Sequence, residues 1–347
     1  MALAKETRQS ASNKPLYRVP SMAEIAEIPW NGYRVVSTFS GAGGSCLGFR
    51  MAGYRVVWAS EFVPAAQETY RANHPDTILD TRDIRQVTAE DILSATGLAV
   101  GELDVFEGSP PCASFSTAGK RHEGWGQVRK YSDTRQRVDD LFFEYARLLR
   151  DLQPRVFVAE NVSGLVKGVA KGYFKEILRA LRDCGYVVEA RLLDAQWLGV
   201  PQMRQRLIFQ GVRKDLGCRP AWPEPLPYRY SVRDALPWIT AVLHWNGVWK
   251  TSDEPCSTIV QSGARLLPTA RFTGGTYVEA ETDGSTHSYE RRKFTIDELK
   301  RICAFPDDFI LTGTYEQQWE RLGRAVPPVM MYHVARVIRD EILGRLS

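Results

Sequence analysis

From Tyr33 to Arg213, apolar runs of strand length alternate with longer stretches whose apolar positions recur at helical spacing. The run Arg34-Val35-Val36-Ser37-Thr38-Phe39 predicts a buried strand, and a glycine turn leads from it into a helix over 45–52. A strand at 54–60, a helix at 64–73 and a short strand near 77–79 follow. Leu103–Phe106 predicts the next strand. A helix at 138–152, a strand at 155–160, a helix at 173–184 and strands at 186–194 and 207–212 complete the series. Such alternation predicts βαβ units, hence an α/β fold with a doubly wound, mostly parallel, Rossmann-like sheet.

The pattern breaks after Lys214. Residues 215–290 are rich in Pro, Gly and aromatics (Trp222, Trp238, Trp245, Trp249, Tyr277) and show little periodicity, which predicts a small irregular second domain. Helical spacing returns at 296–303 and again from about 327 to 343. The expected organisation is a loosely held extension over 1–30 and a main domain over 31–214. The irregular domain over 215–290 follows, and 291–347 returns to the main domain.

Composition narrows the class. A chain of 347 residues with 44% hydrophobic and 25% charged residues has the make-up of a soluble globular protein. No apolar run approaches membrane-spanning length, and Met1 to Lys14 lacks a signal-peptide core. Six cysteines stand singly, at 46, 112, 184, 218, 256 and 303, with no CxxC pair. That argues against a zinc site and against a disulfide framework, and for a reducing, cytoplasmic setting; no metal is expected. The net charge of +4 fits a polyanionic partner without requiring one.

Ligands of an open α/β sheet bind outside the carboxyl ends of its strands, and five informative segments fall at such ends. Phe39-Ser40-Gly41-Ala42-Gly43-Gly44 is a turn that lets a ligand approach the backbone closely. Glu61, followed by Phe62, ends the second strand, where a carboxylate can bind a ribose diol. Asp83-Ile84 can offer a carboxylate and an apolar contact to an adenine. Pro110-Pro111 stiffens the backbone before Cys112 and should present its thiol at a rigid strand-end corner. Glu160 closes an apolar strand, where desolvation would raise its pKa toward general-acid duty; a cap for the next segment is the plainer reading. Gln202, Arg204 and Arg206 alternate just before a strand and so should share one face, the arginines suiting a carboxylate, a phosphate or a carbonyl oxygen. No GxxxxGK[ST] motif is present, which disfavours ATP hydrolysis.

In this order and spacing, the segments resemble the DNA cytosine-C5 methyltransferases over about residues 33–345. The closing runs Arg292–Phe309 and Gly323–Pro328 extend the match. The resemblance implies S-adenosylmethionine as donor, with Phe39, Ser40, Gly41, Gly43, Gly44, Glu61, Phe62, Asp83, Ile84, Pro110 and Ala325 around it. It implies Cys112 as nucleophile, with Glu160, Arg204 and Arg206 holding the cytosine, and 215–290 as the target-recognition domain. The implied partner is double-stranded DNA, engaged by a single chain, with a restriction endonuclease as a further candidate partner. The basic, aromatic and Gly-rich run after Cys112 predicts a loop closing on DNA. Lys120, Arg121, Arg129 and Lys130 would meet phosphates there. Ser116, Gln202 and Arg265 are further candidate DNA contacts. A transfer-RNA branch shares this core, and a non-catalytic DNA-binding regulator would keep the fold.

Two positions depart from the family pattern. Ala113 follows the nucleophile where Gln is usual, and Arg324 stands where Asn is usual in the final motif. A guanidinium near a sulfonium is electrostatically unfavourable unless an anion lies between them. That anion could be a carboxylate on the donor, as in carboxy-S-adenosylmethionine, and the product would then be 5-carboxymethylcytosine. Alternatively Arg324 points to solvent, pairs with an acid such as Glu320, or marks an inactive copy.

Overall fold

The computed structural model describes residues 14–111, 128–131, 134–137, 140–166, 171–243, 248–260, 277–281 and 289–346. Its centre is a seven-stranded sheet of β1 (Arg34–Thr38), β2 (Arg55–Ser60), β3 (Ile78–Asp80), β4 (Val105–Gly108), β5 (Val156–Val162), β6 (Tyr186–Asp194) and β7 (Gln205–Arg213), in the order β3-β2-β1-β4-β5-β7-β6. β1 pairs in parallel with both β2 and β4, and β4 pairs in parallel with β5. β7 is antiparallel to both β5 and β6. From β1 the strands are added outward on one side as β2 and β3 and on the other as β4 and β5, so the carboxyl ends of β1 and β4 flank the crevice where this fold class binds ligands.

Burial follows the alternation read from the sequence. Val36, Phe106, Phe157 and Phe209 face a core shared with helices Leu141–Leu152 and Lys171–Asp183. Val35, Val105, Val158 and Ile208 face the other core, with helices Gly44–Met51 and Pro328–Val337. Neighbouring strand residues point to opposite faces, so both faces of the sheet are covered.

Four features differ from the sequence expectation. The helices Ala89–Thr96 and Tyr315–Arg324 were not expected, although each carries a capping box, from Thr88 to Asp91 and from Thr314 to Gln317. The stretch expected to be irregular contains most of an antiparallel sheet, Trp249–Thr251, Ile239–Leu243, Tyr277–Glu281 and Tyr289–Lys293 in that order. Its strands are short and separated by long connections, which hid the period-2 signal. The final helix ends at Val337 and continues as a wider turn over Ile338–Ile342. The start of the chain is also tied down from Lys14 onward. Lys14 pairs with Asp234 at 2.7 Å, and the Tyr17 hydroxyl donates to the Arg301 carbonyl at 2.6 Å. A capped helix, Met22–Ala26, follows.

Candidate active site

The crevice opens into a cavity of about 1040 Å³ walled by the ends of β1, β2, β4 and β5, the approach to β7, and the segment Gly323–Val326. At one end lies the glycine turn. Phe39 leaves β1 in the left-handed region at φ +54°, followed by Gly41 at +57° and Gly43 at +84°. A non-glycine residue there is strained, and such strain clusters at ligand sites. Gly41 borders the cavity with nothing within 4 Å of where a Cβ would stand, so its backbone is what a ligand meets. Gly44 is needed for the opposite reason: a Cβ would fall 2.5 Å from the Val326 carbonyl and 2.9 Å from the Phe305 ring.

Glu61, buried at the end of β2, accepts the Gly41 N–H and the Val63 N–H, each at 2.7 Å. Burial pushes its carboxyl up, while those amides and the nearby Arg321 and Arg324 pull it back. Phe62 and Ile84 add apolar wall beside it. A carboxylate so fixed between apolar surfaces suits a nucleoside diol next to a purine ring.

At the other end, Asn161 spans two strand ends, its Nδ2 donating to the Pro110 carbonyl at 3.2 Å. That bond seats the Pro110-Pro111 corner beside Glu160. Arg206 lies two residues from Ile208, the register partner of Glu160, and so on the same face, which lets the two side chains meet diagonally. Its Nε is 2.6 Å from Glu160 Oε1, a close ion pair without hydrogen-bond alignment. Burial lowers the Arg206 guanidinium, with Glu160 opposing the shift.

Phe39, Ser40, Gly41, Gly44, Glu61, Phe62, Ile84, Pro110, Glu160, Arg204, Arg206, Arg324 and Ala325 all border this one cavity. Three expected residues are placed otherwise. Gly43 is absent from the wall and backs onto the His74 ring, 2.2 Å from where its Cβ would stand. Asp83 is also absent from the wall; its carboxylate caps the Arg85 N–H and pairs with the Arg85 guanidinium at 3.0 Å. Gln202 is fully buried and cannot reach a DNA groove: its amide donates to the Ile302 carbonyl and accepts the Ile259 N–H. Arg204 interrupts the strand between Met203 and Gln205, so the expected shared face is lost. Its two terminal nitrogens donate to the carbonyls of Ile259 and Gly323, each at 2.8 Å, and burial lowers it to about 9. Cys112, Ser116, Lys120, Arg121 and Arg265 lie outside the described residues. Arg129 and Lys130 fall on the strand Val128–Tyr131, which pairs with Thr134–Arg137 and is described as backbone.

Arg324 is held by Glu320 one helical turn back, with Nη2 2.7 Å and Nε 2.9 Å from Oε1. Of the readings open for Arg324, this is the pairing with Glu320. Sequence reasoning missed Glu107, the buried acid next to the end of β4, whose signal was the same as for Glu61 and Glu160: a carboxylate at the close of an apolar run. It also missed the part Asn161 plays in seating the proline corner.

The model of the C-5 cytosine-specific DNA methylase family matches residues 33–236 and 239–340. The chain belongs to this family. Among relatives of this methylase, the type II methyltransferase M.NgoPII of Neisseria gonorrhoeae is 31% identical, over 92% of this chain and 99% of its own length. The type II methyltransferase M.FnuDI of Fusobacterium nucleatum is 30% identical, over 90% and 96%. Among solved structures, a mutant of Spodoptera frugiperda DNMT2 superposes with a TM-score of 0.64 at 19% identity, over 91% of this chain and 99% of that one. At that identity the likeness concerns the fold. The chain is thus a cytosine-C5 methyltransferase, and no helix among its described residues is long and apolar enough to cross a membrane.

Proposed function

We propose that this methylase transfers a methyl group from S-adenosylmethionine to C5 of a cytosine flipped out of double-stranded DNA, through a covalent bond from Cys112 to C6. The observation that carries the proposal is the Asn161–Pro110 hydrogen bond. It joins the nucleophile's proline corner to the Glu160–Arg206 pair inside the cavity that also holds the glycine turn and Glu61. The donor fits that turn, because Gly41 presents bare backbone to the cavity and Glu61 stands fixed where ribose hydroxyls would lie. When bound, the donor supplies an electrophilic methyl carbon.

C5 of cytosine belongs to an electron-poor ring and needs activation. The Cys112 thiolate adds to C6, forming the S–C6 bond while the C5–C6 π pair moves onto C5 and toward N3. Glu160 faces N3 and Arg206 faces O2, where they meet the charge that develops. Once C5 carries the new group, a base takes the C5 proton and the S–C6 pair returns to sulfur. A ring inside a duplex cannot reach Cys112, so the base must leave its stack. The run from Lys120 to Lys130 is proposed to close on the phosphates, 215–290 to read the sequence, and a restriction endonuclease to share that sequence, in the cytoplasm.

The Glu320–Arg324 pair favours the ordinary donor, since Arg324 already faces an anion of the protein. Mass spectrometry of duplex DNA incubated with either donor tests this. The expected product is 5-methylcytosine, with a covalent adduct on 5-fluorocytosine DNA that Cys112→Ser abolishes. Carboxymethylcytosine formed from the carboxylated donor at a comparable rate would overturn the donor assignment, and an adduct surviving Cys112→Ser would overturn the mechanism.

A further inference from the structure

Glu107 is the penultimate residue of β4, three positions before Pro110, and borders the cavity, yet its side chain is almost wholly buried. Ser37 Oγ donates to its Oε1 at 2.5 Å and Ser45 Oγ to its Oε2 at 3.0 Å, and the Cys46 thiol lies 3.8 Å from Oε1. Ser37 in turn shares a 2.7 Å hydrogen bond with Ser40, which sits on the cavity wall. Every other buried carboxylate of this sheet's ligand edge has a partner suited to its charge: Glu160 has Arg206, and Glu61 has two backbone amides. Glu107 has hydroxyls and a thiol, and among the described residues no Lys, Arg or His pairs with it.

An ionised carboxylate buried without a cation is costly, and the group responds by holding its proton. Burial pushes Glu107 up to about 7, with Glu160 adding to the shift and the hydroxyls of Ser37 and Ser45 opposing it. The other titratable groups around it stay neutral near that pH. Burial raises Cys46 on the helix Gly44–Met51 to about 12 and carries Tyr70 on Pro64–Asn73 and Tyr145 on Leu141–Leu152 well above the ordinary tyrosine range. Glu160 on β5 is the remaining charge of the same sign, and Arg206 faces it.

We propose that Glu107 is the counter-charge for the cationic methyl donor, protonated while the cavity is empty and ionised once the donor is seated. The inference rests on the donor reading given above. The donor brings a sulfonium and an ammonium into the cavity, and a nearby cation favours the charged carboxylate. The O–H bond of Glu107 breaks, its electron pair stays on the carboxylate, and the proton leaves through Ser37 and Ser40 to solvent. Binding that expels a proton strengthens as pH rises toward the free enzyme's pKa and levels off above it.

Calorimetry on the full chain tests this, with S-adenosylmethionine titrated at pH 6, 7 and 8 in two buffers of different ionisation enthalpy. At pH 7 the wild type should release about half a proton per donor bound, and its Kd should tighten about fivefold between pH 6 and 7 and about twofold more by pH 8. Adenosine, which lacks the cationic tail, should release none. Glu107→Gln keeps the shape and should abolish both the release and the pH slope, whereas Glu160→Gln should retain both, moved to lower pH because a like charge is gone. For the wild type alone, infrared difference spectra should show a protonated-carboxyl band lost as the donor binds. Donor binding without proton release, or release that persists in Glu107→Gln, overturns the role of Glu107. Failure of the wild type to bind the donor at any of these pH values would overturn the donor reading instead.

Discussion

Three carboxylates within one cavity are handled in three ways, and their surroundings set their roles. Backbone amides hold Glu61 as a fixed acceptor, the Arg206 guanidinium holds Glu160 against the proline corner, and only hydroxyls and a thiol attend Glu107. The last arrangement has a price in stability. With a carboxyl raised from 4.5 to about 7 on folding, the folded chain binds more protons than the unfolded one between those values, so stability falls as pH climbs through the window. The whole shift corresponds to about 3 kcal/mol. Glu107→Gln should therefore melt higher than wild type at pH 8 and lose that advantage at pH 5, as thermal unfolding at the two pH values would reveal. A variant that melts lower at pH 8 would contradict the assignment. Glu107 was legible in principle, but the sequence reading ended its strand at Phe106. The pairing of Arg206 with Glu160 depends on an antiparallel register between distant strands, and no local pattern encodes that.

At the level of elements, the strand-helix alternation from β1 to β7 was readable because buried parallel strands leave apolar runs and the helices between them leave a 3.6-residue period. The antiparallel sheet of the second half was not, because its strands are short and lie far apart along the chain. The face shared by Gln202, Arg204 and Arg206 failed for a related reason: alternation holds only along an unbroken strand, and the strand breaks at Arg204. The glycine turn was readable from composition, but which glycine does what was not. Gly41 faces the ligand space, Gly43 backs onto His74, and Gly44 lets the helix Gly44–Met51 approach the Val326 carbonyl. Gly44→Ala would force backbone, not a pliant side chain, to move. Donor Kd should weaken by about tenfold or more, roughly 1.4 kcal/mol, while donor-free DNA binding stays near wild type. Calorimetry and a gel-shift assay would check the two halves, and unchanged donor affinity would show that the turn yields cheaply.

Across the whole molecule, Arg204 joins three regions, from the lip of the main sheet to the carbonyls of Ile259 and Gly323. Its position in a motif suggested a hand on the cytosine, whereas its hydrogen bonds make it a brace between the second half of the chain and the donor wall. Arg204→Met should cost about 2–4 kcal/mol, since two buried carbonyls lose their donor. Urea unfolding would measure that cost, and a cost under 0.5 kcal/mol would remove the brace. The donor wall has a consequence for the making of the protein. Its floor comes from residues near Phe39 and its lid from Gly323–Val326, so the two halves of one socket are translated almost three hundred positions apart. A polypeptide interrupted between the glycine turn and that lid lacks the wall that completes its pocket. Modification of DNA therefore waits until synthesis has passed Val326, and two co-expressed fragments divided between the glycine turn and Gly323 would have to reunite before either could act.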